Sequence, residues 1–217
     1  MPHPPTTPPV LQARGLHFAY PQHPVFTGLT LDIAPGVTWL QGGDGSGKTT
    51  LLRLLAGTLA PSAGHCLLHG QALTPALQHQ HIFWADPQAT ALDNTVVADY
   101  FASLPAQHPA VNTDLLADIT AGLSLTPHLH KPLYMLSTGS KRKVWLAAAF
   151  ASGAAVTLLD DPLAALDGAS AALVLELLEE AADHPARSWV VACHAPLIAG
   201  AGGVVGLGDS SGTAALT

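Results

Sequence analysis

From Val10 to Tyr20 apolar and polar residues alternate loosely, with Leu11, Ala13, Leu16, Phe18 and Tyr20 as the apolar set. A period of two predicts a half-buried strand, ended by Pro21 and Pro24. Leu29-Thr30-Leu31-Asp32-Ile33 repeats the alternation, and Pro35-Gly36 turns the chain into the largely apolar run Val37-Thr38-Trp39-Leu40-Gln41, read as a buried strand. Leu51 to Ala56 reads as a helix closed by Gly57 and Pro61, and residues 65–70 and 81–85 as further strands. The pattern then changes. Thr95 to Leu104, Thr113 to Leu123 and Thr138 to Ser152 read as helices, punctuated by Pro105, Pro109, Pro127 and Pro132. Ala155 to Asp160 returns to a continuous apolar strand, which suits a parallel sheet covered on both faces. A helix over Ser170–Ala182 follows, with Glu176, Glu179 and Glu180 as its polar edge. Then come a buried strand over Ser188–Cys193, a last strand over Gly203–Leu207 and a small-residue tail expected to fray.

This order predicts an α/β chain. A Pro/Thr-rich tail over residues 1–9 is expected to be disordered, and residues 10–217 form one domain. Residues 10–88 and 153–217 make the core, and about 89–152 make an inserted helical subdomain. At 217 residues and 48% hydrophobic content the chain can bury a substantial core. A formal net charge of −7 and the lack of a Lys/Arg cluster argue against a nucleic-acid surface. Cys66 and Cys193 have no metal-ligand spacing and read as small buried hydrophobes in a reducing compartment. The nearest histidine pairs, His79/His81 and His128/His130, lack carboxylate or thiol partners at fixed spacing, so they read as surface residues. The N-terminus lacks the regions of a secretion signal, and no run of 18 apolar residues predicts a membrane span. A soluble, cytoplasmic protein is expected.

The chemistry enters at Gly42-Gly43-Asp44-Gly45-Ser46-Gly47-Lys48-Thr49, followed by Thr50. The segment fits G-x-x-x-x-G-K-[ST] and lies between a predicted strand and a predicted helix, as a phosphate-cradling loop must. Glycines let backbone N–H groups curl round phosphate oxygens, and the helix start adds partial positive charge. In this motif Lys48 reaches the β- and γ-phosphates, and the Thr49 hydroxyl ligates magnesium. Two strands precede this loop's own strand, unlike a small nucleotide kinase, where the loop follows the first strand.

Four further segments come in a diagnostic order: Leu136-Ser137-Thr138-Gly139-Ser140-Lys141-Arg142-Lys143, Leu158-Leu159-Asp160-Asp161-Pro162, Ala164-Ala165-Leu166-Asp167, and His194 after a strand. With them the chain resembles the nucleotide-binding ATPase subunit of ATP-binding-cassette (ABC) transporters over about residues 10 to 210. The resemblance implies a P-loop NTPase fold: a RecA-like core with a mostly parallel sheet, an N-terminal antiparallel part and an inserted helical subdomain. The first segment is similar to the signature L-S-G-G-Q-x-[QR]-[RK], departing at Thr138 and Ser140. It implies that Ser137 and Gly139 complete the ATP site of an opposite subunit. Three cations in the first turn of a helix are locally unfavourable unless an anion arrives, which also points to function. The second segment is similar to Walker B. Asp160 would hold hydrated magnesium, and Asp161 would stand where the family's general base is usually Glu, so slowed turnover is expected. The resemblance further implies a dimer-interface role for Asp167, a γ-phosphate contact for His194 and adenine stacking for Tyr20. The family's lid glutamine, which contacts magnesium and the membrane partner, corresponds to Gln88 or Asp86, the first by residue type and the second by ungapped spacing.

The implied function is an ATPase that dimerises around two Mg-ATP, with a second copy or a related subunit. It would drive transport through a separate integral-membrane partner and sit peripherally on the inner face of that membrane. The rival expectation is an ATP-dependent clamp or degenerate regulatory subunit with little hydrolysis, favoured by Asp161, Thr138 and Ser140. A ribosome- or DNA-acting ABC protein would carry two cassettes or basic and coiled-coil additions, which this acidic single cassette lacks. The compact length also resembles small exporter subunits such as those for haem.

Overall fold

The computed structural model describes residues 8–84, 86, 90–208 and the backbone of 214–216. The alternating N-terminal segments form β1 (Leu11–Tyr20) and β2 (His23–Ile33), paired antiparallel, with β4 (Ala63–Leu68) on the other side of β1 and β5 (Gln71–Ala72) beyond it. The second sheet is built from β3 (Gly36–Gln41), β6 (Ile82–Trp84), β7 (Val156–Asp160), β8 (Ser188–Cys193), β9 (Gly203–Leu207) and β10 (Ala214–Leu216). Its order is β10-β9-β3-β8-β7-β6, and every pairing is parallel except β10 on β9. The expected α/β architecture, a mostly parallel sheet with an antiparallel part before it, is therefore present.

Alternation along the parallel strands divides their side chains between two cores. Leu40, Leu158, Val190 and Ala192 face the antiparallel sheet, with Leu51, Leu52, Leu54 and Leu55 of α1 (Lys48–Leu55) in the same cluster. Trp39, Leu159, Trp189 and Val191 face the opposite way, toward α5 (Thr138–Ala151) and α6 (Gly168–Ala182). Both faces are covered, so these strands read as nearly unbroken apolar runs. Between β6 and β7 in sequence lie α3 (Val97–Gln107), α4 (Thr113–Gly122) and α5. Every residue of α5 from Val144 to Ala151 is buried, which explains a helix apolar all round rather than on one stripe. Among the described residues no helix is long and apolar enough to cross a membrane.

Several boundaries depart from the pattern. β2 begins at His23, six residues before the alternation becomes visible, because it follows β1 across a tight hairpin in which Tyr20 pairs with His23. A short helix, α2 (Pro75–His81), stands where the sequence suggested nothing regular. Thr74 caps it by accepting a hydrogen bond from the Leu77 amide at 3.4 Å, and Pro75 opens the first turn. His81 therefore ends a helix instead of starting a strand. Pro105, expected to end a helix, sits inside the last turn of α3, where its missing N–H costs only one bond near an end that frays anyway. The tail expected to fray pairs with β9 through Ala214, Ala215 and Leu216. The disorder expected for residues 1–9 falls mainly on residues 1–7, which lie outside the described residues.

Candidate functional site

The register of the parallel sheet assembles the site. Gln41 at the end of β3 pairs with Cys193 at the end of β8, and Ala192 pairs with Asp160 at the end of β7. Gly42, Asp161 and His194 therefore all leave the sheet from one carboxyl edge, where ligands of open α/β sheets bind. A cavity of about 430 Å³ lies there, lined by Tyr20, residues 44–50, Asp160, Asp161 and His194. His23 and Val25 from the β1–β2 hairpin and Cys193 also line it. Sequence reasoning missed these three, although the hairpin's place directly after Tyr20 was a usable signal for His23 and Val25.

The loop 42–47 is shaped by its glycines. Gly47 has φ +94° and starts α1 with no side-chain cap, and a Cβ there would lie 2.8 Å from Val25 Cγ1. A Cβ on Gly42 would lie 2.2 Å from Ser46 Oγ. That hydroxyl is itself buried without a hydrogen-bond partner among the described residues. Lys48 Nζ folds back to donate to the carbonyls of Gly42 at 2.7 Å and Gly43 at 2.9 Å. An ammonium at the start of a helix, folded onto a glycine-rich loop, suits a phosphate chain. Thr49 Oγ1 donates to Asp160 Oδ2 at 2.7 Å. A hydroxyl and a carboxylate in contact are hard oxygen donors. Only two from the protein is what magnesium shared with phosphates and water requires, so the residues fit that ion. The Tyr20 hydroxyl lies 3.3 Å from Thr50 Oγ1, with the ring edge-on to Phe18 and partly exposed.

The two carboxylates differ in surroundings. Burial pushes the Asp160 carboxyl above its ordinary range; the Thr49 hydrogen bond opposes this, and the neighbouring Asp161 charge adds to it. Asp161 is exposed and has φ +46°, a left-handed conformation, with its amide donating to the Ala192 carbonyl at 2.9 Å. His194 is exposed, and its Nε2 stands 3.5 Å from Asp44 Oδ1 across the cavity mouth.

Other sequence-derived candidates lie elsewhere. Ser137 is exposed and caps α5, accepting from the Ser140 amide at 3.1 Å, outside the cavity. Gly139 packs where a Cβ would meet the Ala165 carbonyl at 2.4 Å. Lys141, Arg142 and Lys143 span the first and second turns of α5 and do not wait for an incoming anion, contrary to expectation. Lys141 pairs with Asp93, Lys143 with Asp167, and Arg142 donates to the carbonyls of Asp160 (3.3 Å) and Asp161. Asp167 also caps α6, accepting from the Ser170 amide at 2.9 Å, and the Lys143 hydrogen bond holds its carboxyl well below the usual range. Asp86 pairs with Arg53 at 2.9 Å and lines a cavity beside Trp84, Tyr100 and His108, separate from the one that Thr49 and Asp160 line. Gln88 lies outside the described residues.

Residues 26–164 match the family model described as ABC transporter. The chain belongs to the ABC transporter family. It is 36% identical over 210 residues to the cytochrome c biogenesis ATP-binding export protein CcmA of Cupriavidus pinatubonensis, covering 93% of this chain and 90% of that one. A CcmA protein of Salmonella paratyphi A is 32% identical, covering 95% of this chain and all of its own. A solved ATP-binding subunit of an ABC transporter superposes with a TM-score of 0.82 over 96% of this chain and 89% of its own, at 19% identity, a likeness of fold. The chain is thus an ABC ATPase subunit, of a family that uses ATP.

The raised Asp160 carboxyl makes a stability prediction. The folded protein holds that proton more tightly than the unfolded chain does, so wild-type stability falls as pH rises through the window from the ordinary carboxylate range to the raised value. Asp160→Asn keeps an acceptor for Thr49 and removes the buried charge. Without magnesium its melting temperature should exceed that of wild type at pH 7, and the difference should shrink as pH falls through that window. Thermal scans from pH 4 to 8 check this.

Proposed function

We propose that this chain is the ATP-binding and ATP-hydrolysing subunit of a transporter. It closes around two Mg-ATP with a second nucleotide-binding subunit, a copy of itself or a relative, and drives a separate integral-membrane partner from the cytoplasmic face. One observation carries the reading: Lys48, Thr49, Asp160, Asp161 and His194 share one cavity, while Ser137, on the start of α5, is exposed outside it. This supports a cavity that holds a nucleotide and a Ser137 that is left free to contact the nucleotide of a second subunit. The export role in the name of the CcmA relatives supports an exporter in cytochrome c biogenesis.

On this reading Lys48 exchanges its two loop carbonyls for the β- and γ-phosphate oxygens, and the loop amides hold the same phosphates. Tyr20 stacks on the adenine. Thr49 and Asp160 hold magnesium, whose charge offsets that of the phosphates when it is bound. Asp161 orients the attacking water and takes its proton, and His194 donates to the γ-phosphate, where negative charge develops. Closure is a population shift. The γ-phosphate is contacted by both subunits only in the closed dimer, and hydrolysis removes that bias.

Ser137→Arg should bind Mg-ATP as wild type does and fail to dimerise, since the added cation blocks the start of α5 where it meets the opposing site. Light scattering with and without Mg-ATP reads this, and dimers equal to wild type would contradict the sandwich.

A second reading, an ATP-dependent clamp, is favoured by Asp161 itself: its arm is one methylene shorter than Glu. A displacement of about 1 Å can cost on the order of a hundredfold in rate. The transport-motor reading expects Asp161→Glu to change turnover by less than about tenfold, and a gain of about a hundredfold identifies the clamp. Phosphate release by the two purified proteins decides between them.

A further inference from the structure

Asp161 has φ +46° and Ala165 φ +61°, both left-handed in residues that carry a Cβ, in the turn between β7 and α6. Such conformations persist only where the surroundings hold them. The Asp161 amide donates to the Ala192 carbonyl at 2.9 Å and its carbonyl accepts from the Ala164 amide at 3.1 Å; the first turns of α5 add to this holding. Gly139 lies against the Ala165 carbonyl so closely that any Cβ would clash at 2.4 Å. Lys143 grips Asp167 at the far end of the turn. Between them Arg142 donates from Nη1 to the main-chain oxygens of both Asp160 and Asp161. Its Nε is buried without a partner among the described residues, so the guanidinium is drawn inward at some cost. Of the contacts described from α5, the one made by Arg142 is the one that reaches the backbone that aims the Asp161 carboxylate.

We infer that Arg142 is a positioning residue for hydrolysis: it fixes the left-handed turn that directs Asp161, and so ties that carboxylate to the helix carrying Ser137. The inference rests on the ATPase reading above and deepens it. With both ends of α5's first two turns rigidly joined, docking of Ser137 against a second subunit's nucleotide reorients this chain's own Asp161. Hydrolysis in one site then depends on closure at the other, with no direct contact between the nucleotides.

The test is a double-mutant cycle read by single-turnover phosphate release from Mg-ATP with protein in excess, alongside Mg-ATP affinity. Arg142→Met keeps the apolar stem and removes the donors. It should lower the rate about 10- to 100-fold, as expected for an angstrom-scale displacement, and leave affinity within about twofold, the signature of a contact that acts in the chemical step. In the Asp161→Asn background the same change should cost less than about twofold, because its effect runs through that carboxylate. Arg142→Lys, able to reach one carbonyl, should recover part of the rate, and it carries the same cycle if the Met variant fails to melt cooperatively. Equal losses in both backgrounds, or a loss that appears as weakened ATP affinity, would overturn the inference. So would a wild-type rate no higher than that of Asp161→Asn, since there would then be no base to position. In each of those results the wild-type chain still binds Mg-ATP; a wild-type chain that does not bind Mg-ATP would instead overturn the ATPase reading and this inference with it.

Discussion

Everything at the candidate site depends on the register of three parallel strands. β3, β8 and β7 end within one residue of each other, so three turns that are remote in sequence open on one edge. A shift of one residue in a strand would exchange its two faces, sending Trp39, Trp189 and Leu159 from one core to the other. Burial on both faces therefore enforces the alignment that brings Lys48, Asp160 and His194 together. The chemistry rides on packing. α1 is pinned beneath the antiparallel sheet by four leucines, which fixes the direction of the loop amides before any ligand arrives.

Electrostatics divides the labour between adjacent carboxylates. Asp160 is half-buried, bonded to Thr49 and held against the low-dielectric end of its strand, a setting that favours a cation beside it. Asp161, exposed and turned outward by its left-handed backbone, is open to water. On the other side of the same turn, Asp167 is committed to Lys143 and to the cap of α6. The turn thus joins the sheet edge to α5, the helix whose cap, Ser137, faces outward. On the proposed reading, that arrangement would relate the binding of a nucleotide mechanically to the approach of a second subunit.

The phosphate loop was legible in the sequence because its requirements are local: glycines at fixed spacing, a Lys, a Thr, a strand before and a helix after. The fold class was legible for a similar reason, since strands covered on both faces write themselves as apolar runs. What escaped was set by distant partners. The anions that satisfy Lys141 and Lys143 lie 48 and 24 residues away in sequence, so the basic segment looked unfinished when its two lysines are paired internally. β10 exists because β9 offers it an edge, and the early start of β2 is imposed by β1 through hairpin pairing, not by its own alternation. Asp86 illustrates the same point: spacing matched it to the lid position, and its pairing with Arg53, 33 residues away, could not be read from it.

The central claim is that this cavity binds a nucleoside triphosphate through Lys48. A calorimetric titration of purified protein with Mg-ATP, wild type beside Lys48→Ala, measures it most directly. The account predicts micromolar affinity for wild type. It predicts a loss of about a hundredfold or more for the variant, as expected when charge-assisted contacts worth roughly 1.5–3 kcal/mol each are removed. Micromolar affinity retained by Lys48→Ala would contradict it.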